Sequence, residues 1–407
     1  MANLINLKTF RDFFKSGQIS GIILISCVIL SLLIANSSFG EGFQNLLTSN
    51  IGYSSPSLQL DYPVSLWIND GLMAIFFLLV GLELKREFIE GELSVPQKAA
   101  MPIFAAIGGM LIPAGIYAVF NINTQTASGW GIPMATDIAF ALGIISLLGK
   151  RVPSSLKIFM AALAIVDDLG AILVIAVFYT NELHWNYLLY SAGILALLFV
   201  MNRSGVKKLY FYILPGIVLW YFVHHSGIHA TIAGVLLALT IPANPVKDTS
   251  PLEKLEHIIV KPVNFLIMPI FALANTNIRF EYKMIDDLYS PLGLGIICGL
   301  ILGKPIGVTL FSWLSVKLGW ATLPSRSNWN HIFGIGLLAG IGFTMSIFIA
   351  LLSFRNPEFQ IIAKFSTLLA SVIAGIAGYL YLSMLNKKKL NARKKYRSKL
   401  NRLTKDV

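Results

Sequence analysis

Residues 158–178 read IFMAALAIVDDLGAILVIAVF, a run of twenty-one residues in which only Asp167 and Asp168 carry charge. A helix needs about 20 mostly apolar residues to cross about 30 Å of hydrocarbon, and this segment meets that length. Comparable apolar runs recur along the chain, centred near residues 27, 73, 108, 138, 194, 214, 233, 266, 303, 341 and 372. The 407 residues are 56% hydrophobic and only 13% charged, with a mean hydropathy of +0.71. A soluble domain is about a quarter charged, so a water-soluble enzyme is excluded. The expected fold is an all-α polytopic membrane protein of twelve transmembrane helices. Residues 1–385 form a single transmembrane domain, and 386–407 a basic tail. The stretch 208–240 is too long for one crossing and is divided at His224–His225–Ser226.

Charge placement fixes the orientation. With the N-terminus inside, the cytoplasmic segments carry 27 Lys and Arg, while the opposite side carries only Arg279, Lys283 and Arg355. This asymmetry is a strong positive-inside signature, and it places both termini in the cytoplasm. The net charge of +12 therefore speaks for anionic lipid heads beside the tail, not for nucleic acid. Ile19–Ala35 follows Lys8, Arg11 and Lys15 but is longer than the core of a cleaved signal, so it reads as a retained first helix. Cys27 and Cys298 lie in apolar runs and form neither a disulfide framework nor a metal spacing. Between the first two spans, Thr48–Ile51 and Leu58–Leu60 can flank a short external hairpin.

Four charges lie deep in this apolar sequence. Asp167 and Asp168 are ten residues past Lys157, about 15 Å along a helix. Asp137 in MATDIAFALG (134–143) and Lys304 in GKPIG (303–307) reach a similar depth from Lys150 and Lys317. Each costs about 2.5–3.5 kcal/mol to insert, so a polar cavity must receive them. One lysine paired with one aspartate as a structural bridge still leaves two acids over, and an excess of intramembrane acids marks a cation or proton path. A small hard cation prefers oxygen ligands, which must shed their protons to bind it. Protons and the cation then compete for one site. Exchange follows if the site changes sides only when it is occupied. No phosphate-binding loop is present, so an ion gradient must supply the energy.

Two spans look interrupted. The fourth carries Gly129, Gly131, Pro133 and Thr136 just before Asp137. The eleventh reads GIGLLAGIGFTMSIFIA (334–350). Broken helices in two halves point to a midplane site, and Asp137 and Lys304 can balance the partial charges of their free ends. In the tenth span, Gly295, Gly299, Gly303 and Gly307 form a ladder that admits a close neighbour.

Taken together, MATDIAFALG, ALAIVDDLGAI (162–172), GKPIG, FFLLVGLELKRE (76–87), SGIHATIAG (226–234) and AGIGFTMSIFIA (339–350) resemble the NhaA sodium/proton antiporters of bacterial inner membranes. The likeness runs in order from about residue 10 to 385. It implies inverted repeats with the fourth and eleventh helices interrupted and crossing. It also implies electrogenic export of Na+ or Li+ against external protons in the service of pH and sodium homeostasis, with no cofactor. By resemblance, Asp168, Asp167 and Thr136 hold the cation, and Asp167, Asp168 and Lys304 are the proton carriers. Asp137 offsets positive helix ends, and Lys304 offsets negative ones or pairs with Asp167. Glu83, Arg86, Glu87, His229, Glu256 and His257 serve pH regulation, and a homodimer forms through the 46–60 hairpin. The chain departs from the family pattern at Val260, where a second histidine is usual, and at Glu253, where a basic residue is. Rival readings are a sodium-coupled solute symporter and a cation channel. A membrane hydrolase lacks its serine, histidine or metal cluster.

Overall fold

The computed structural model describes the backbone of residues 7–55, 58–149, 152–180, 183–243 and 250–403, and side chains from 19 to 385 within those segments. The side chains of the basic tail, 386–407, lie outside the described residues. So do those of Lys8, Arg11, Lys15, Lys150, Arg151 and Lys247, which enter the charge count.

The chain is a bundle of helices. In order they are α1 (Leu7–Ala35), α2 (Gly40–Thr48), α3 (Val64–Ile89), α4 (Pro96–Asn121), α5 (Ile138–Leu147), α6 (Ser154–Phe178), α7 (Trp185–Arg203) and α8 (Tyr210–His225). Then come α9 (Ile232–Thr240), α10 (Pro251–Asn275), α11 (Lys283–Asp287), α12 (Pro291–Lys317), α13 (Trp329–Ala339), α14 (Phe343–Ser353) and α15 (Pro357–Leu403). Among the described residues eight helical segments are long and apolar enough to cross a membrane, or up to ten if two bent pairs are each one span. A helix lies at each expected centre except 341, which falls in the break between α13 and α14. However, α8 and α9 have only 16 and 9 residues, below the usual length of a spanning helix. They are divided where expected, at the histidine pair.

The exterior is apolar and the interior carries the charge, the reverse of a soluble protein. Leu173, Val177 and Leu189 are exposed, whereas Asp137, Asp167, Asp168 and Lys304 are each 1% exposed. The first helix is part of this body: Ser31 Oγ donates to the Leu273 carbonyl at 2.6 Å.

The glycine ladder does what its spacing suggests. A Cβ on Gly299 would come within 2.7 Å of Pro133 Cβ, and one on Gly303 within 2.8 Å of Pro113 Cα. Backbone therefore meets backbone between α12 and α4, which seats Lys304 in the interior. Elsewhere caps close the helix ends. Lys85 Nζ donates to the carbonyls of Leu239 and Ile241 at the end of α9, at 2.7 and 2.5 Å. Ser250 and Glu253 form a capping box that starts α10. The family departure at Glu253 is thus occupied by a local structural task.

The external loop forms a hairpin of four two-residue strands, β1 (Asn50–Ile51), β2 (Ser54–Ser55), β3 (Leu58–Gln59) and β4 (Tyr62–Pro63). Both pairs are antiparallel, with Ile51 opposite Tyr62 and Ser54 opposite Gln59. The ladder extends past Leu60, the expected end. Gly52, at φ +146°, divides it, and a Cβ there would lie 2.8 Å from the Leu60 carbonyl carbon. Only glycine fits.

Candidate functional site

The two broken segments meet side by side. A 3-10 segment, Ala127–Met134, precedes three non-helical residues, 135–137, before α5 begins. The bend between α13 and α14, across Gly340–Gly342, is 49°. Each break exposes backbone groups that hydrocarbon cannot satisfy, and each finds partners on the other. Asp137 N–H donates to the Ile341 carbonyl at 2.7 Å. Thr136 Oγ1 donates to the Ala339 carbonyl at 2.9 Å, and Ser346 Oγ to the Ile132 carbonyl at 2.7 Å.

Asp137 sits at the start of two helices at once. Its Oδ1 accepts from Phe140 N–H at 3.0 Å, capping α5, and its Oδ2 accepts from Thr344 N–H at 3.2 Å in the first turn of α14. The Thr344 hydroxyl donates to the same oxygen. A carboxylate between two positive helix ends is where the macrodipoles place it. Another donor at that end, Phe343 N–H, is taken by Ser371 Oγ on α15 at 3.1 Å.

Helix α6 separates its two acids. Neighbouring residues point about 100° apart, as 3.6 residues per turn requires. Asp167 turns to Lys304: the ammonium donates to Oδ2 at 2.6 Å and to Thr136 Oγ1 at 2.9 Å. Asp168 turns to a cavity of about 70 Å³, lined also by Asp137, Glu83 and Thr344, enough for a few water-sized species. Neither carboxylate oxygen of Asp168 has a hydrogen-bond partner among the described residues. The rest of the lining is mainly apolar, with Phe76, Leu79, Ile138 and Met345 among it. Among the described residues no group of three or more His, Cys, Asp and Glu is arranged to hold a metal ion.

The remaining sequence-derived positions fall into two places. Glu83 lines the Asp168 cavity, while Arg86, one turn on, reaches Glu256 through Nε at 3.0 and 3.2 Å. Arg86 also pairs with Glu87 at 3.1 Å, and His257 beside Glu256 is exposed. His229 lies apart from these, its Nε2 2.7 Å from the Tyr179 carbonyl beyond the end of α6. Five hydroxyl or amide residues at the site escaped the sequence reading: Thr344, Ser346, Ser371, Ser20 and Asn264. Hydroxyls in apolar helices commonly bond their own preceding turn, so only the break at Gly340–Gly342 beside TMS (344–346) offered a signal.

A helical body with apolar flanks, an orphan carboxylate in a cavity and a buried ion pair beside two broken helices defines an ion-coupled secondary transporter, not an enzyme. The chain belongs to the Na+/H+ antiporter 1 family, whose pattern matches residues 11–382. It is 64% identical over 390 residues to the Na(+)/H(+) antiporter NhaA 2 of Flavobacterium johnsoniae, covering 96% of each chain. It is 51% identical over 378 residues to the Na(+)/H(+) antiporter NhaA of Flavobacterium psychrophilum, covering 93% of this chain and 96% of that one. With the NhaA protein of Dechloromonas aromatica the identity is 51% over 380 residues, covering 92% of this chain and 96% of that one.

Proposed function

We propose that this chain exports Na+ across the bacterial inner membrane in exchange for external protons, with Asp168 as the group for which the two ions compete. The observation that carries the reading is the Asp168 carboxylate, 1% exposed, in a cavity with both oxygens unpartnered. A buried polar group without a partner costs about 1–3 kcal/mol, and more when charged. Such a carboxylate is favoured only when a proton or a cation joins it. A site that must be filled by one or the other, in a body that reorients only when filled, couples the two fluxes.

In this scheme Asp167 and Thr136 complete the cation's oxygen shell when Asp167 leaves Lys304. The freed lysine then releases a proton, which makes Asp168 and Lys304 the two carriers. More than one proton then crosses per cation, so the cycle is electrogenic and Li+ can replace Na+. Asp137 offsets the ends of α5 and α14 throughout. Glu83, between Asp168 and the Arg86–Glu256 pair, leads to the cytoplasmic mouth, where Glu87 and His257 adjust access with pH. His229 acts from the other end of α6. The architecture proposed is twelve crossings in inverted repeats with the broken helices crossing. Both termini are cytoplasmic, the tail meets anionic lipids and the hairpin at 46–60 pairs two subunits. These details rest on the family resemblance and on the charge asymmetry.

The test is reconstitution in liposomes with proton flux followed after Na+ addition. Wild-type protein should move protons on adding Na+, and Asp168→Asn should not. Full exchange by Asp168→Asn sinks the assignment, and Na+ uptake that drags a solute without proton movement favours the symporter.

A further inference from the structure

The cavity that holds Asp168 has one wall with no part in this scheme. Besides its carboxylates and Thr344, the polar residues lining it are Ser20, on α1, and Asn264, on α10. Helix α10 widens there into a π turn, Val263–Ile267. Such turns are uncommon and are frequent at functional sites. The hydrogen bonds explain its form. Met268 N–H donates to the Val263 carbonyl, five residues back. The Asn264 carbonyl is therefore deprived of its usual helical donor. Ser20 Oγ, on a residue 1% exposed, donates to it instead at 3.0 Å. One hydroxyl from the first helix thus holds the widened turn open. The Asn264 side-chain amide makes no hydrogen bond to another described residue.

Asn264 is half-buried, so its amide is free to meet the species that enter the cavity. The cargo and its water are the species that enter this cavity. A neutral oxygen has a further property: it can ligate a hard cation, but it takes up no proton in the physiological range. It therefore strengthens the cation-bound state of Asp168 without strengthening the protonated one.

We infer that Asn264, positioned by Ser20, is a specificity-determining residue that supplies a neutral oxygen to the transported monovalent cation and so tilts the competition at Asp168 toward it. The inference rests on the exchange reading above. Concentration dependence of Na+- and Li+-driven proton flux in liposomes tests it on the full chain at one alkaline pH. Asn264→Ala and Asn264→Leu should each raise the apparent KM for Na+ about tenfold and keep the maximal rate within about twofold. The Li+ value should rise less, because a smaller ion needs fewer oxygens. Ser20→Ala should shift the Na+ value in the same direction by a smaller factor. Asn264→Leu keeps the branched outline with the same number of heavy side-chain atoms, so it decides the matter if the alanine variant fails to fold. An unchanged Na+ KM in either foldable variant overturns the inference. So does a fall in maximal rate with both cations weakened equally, which is the mark of a structural role. Absent exchange in wild-type protein instead overturns the transport reading and this inference together.

Discussion

Thr344 and Lys304 set the local energetics of the site. Thr344 gives Asp137 both its backbone N–H and its hydroxyl. Thr344→Val removes only the hydroxyl bond and should cost about 1–3 kcal/mol, read as a lowered midpoint of thermal unfolding in detergent. Lys304 and Asp167 form a bridge with each side chain 1% exposed. Removing one partner of such a pair strands a charge and costs about 3–5 kcal/mol, while replacing both by neutral groups is far milder. Lys304→Ala should therefore unfold at a clearly lower temperature than the double variant Lys304→Gln with Asp167→Asn. Equal midpoints would show that the bridge contributes nothing. The depth of these charges was legible from hydropathy and the rise per residue. Which aspartate takes the lysine followed only from the family resemblance and not from spacing, because both lie on one turn of α6 and the choice depends on how α12 is rotated.

Among the elements, α12 and α14 have the least freedom. Gly303 approaches Pro113 so closely that a Cβ would lie 2.8 Å from its Cα. Gly303→Val overpacks this contact between α12 and α4, which typically costs about 1–3 kcal/mol. It should also displace Lys304 from Asp167, so exchange should fall together with the unfolding temperature. Ser371 is the corresponding support of α14. Ser371→Ala leaves Phe343 N–H without its acceptor, and the expected loss of about 1–3 kcal/mol appears as a lower unfolding midpoint with Asp168 untouched. The broken helices themselves were readable, since glycine, proline and polar residues interrupt otherwise apolar runs. Their mutual capping was not, because Ile341 and Asp137 are two hundred residues apart in the chain and nothing local pairs them.

For the whole molecule, occupancy and stability are linked. A cation that binds the folded state and not the unfolded one stabilises it by mass action, about 2.7 kcal/mol at a hundredfold excess over Kd. Na+ should therefore raise the thermal midpoint of wild-type protein and leave Asp168→Asn unmoved. The sign of the pH dependence follows from the competition: Na+ needs the deprotonated carboxylate, so the Na+-induced rise should grow as pH increases and shrink as it falls. Titration calorimetry in buffers of different ionisation enthalpy should register protons released as Na+ binds. A pH-independent rise, or no proton release, contradicts competition at the acid pair.

Composition and spacing alone determined that this chain is a membrane protein, where its apolar spans are interrupted and which charges are buried among them. Each of these depends on the free energy of moving local groups between water and hydrocarbon, which a linear sequence carries in full. Tertiary structure decided the division of labour. It pairs Asp167 with Lys304 and leaves Asp168 facing the cavity beside Glu83. It joins the two helix breaks through Asp137, and it brings Ser20 to the widened turn at Asn264. Those outcomes depend on the rotation and close approach of helices far apart in the chain, set by which small residues let backbones meet. No local transfer energy encodes that.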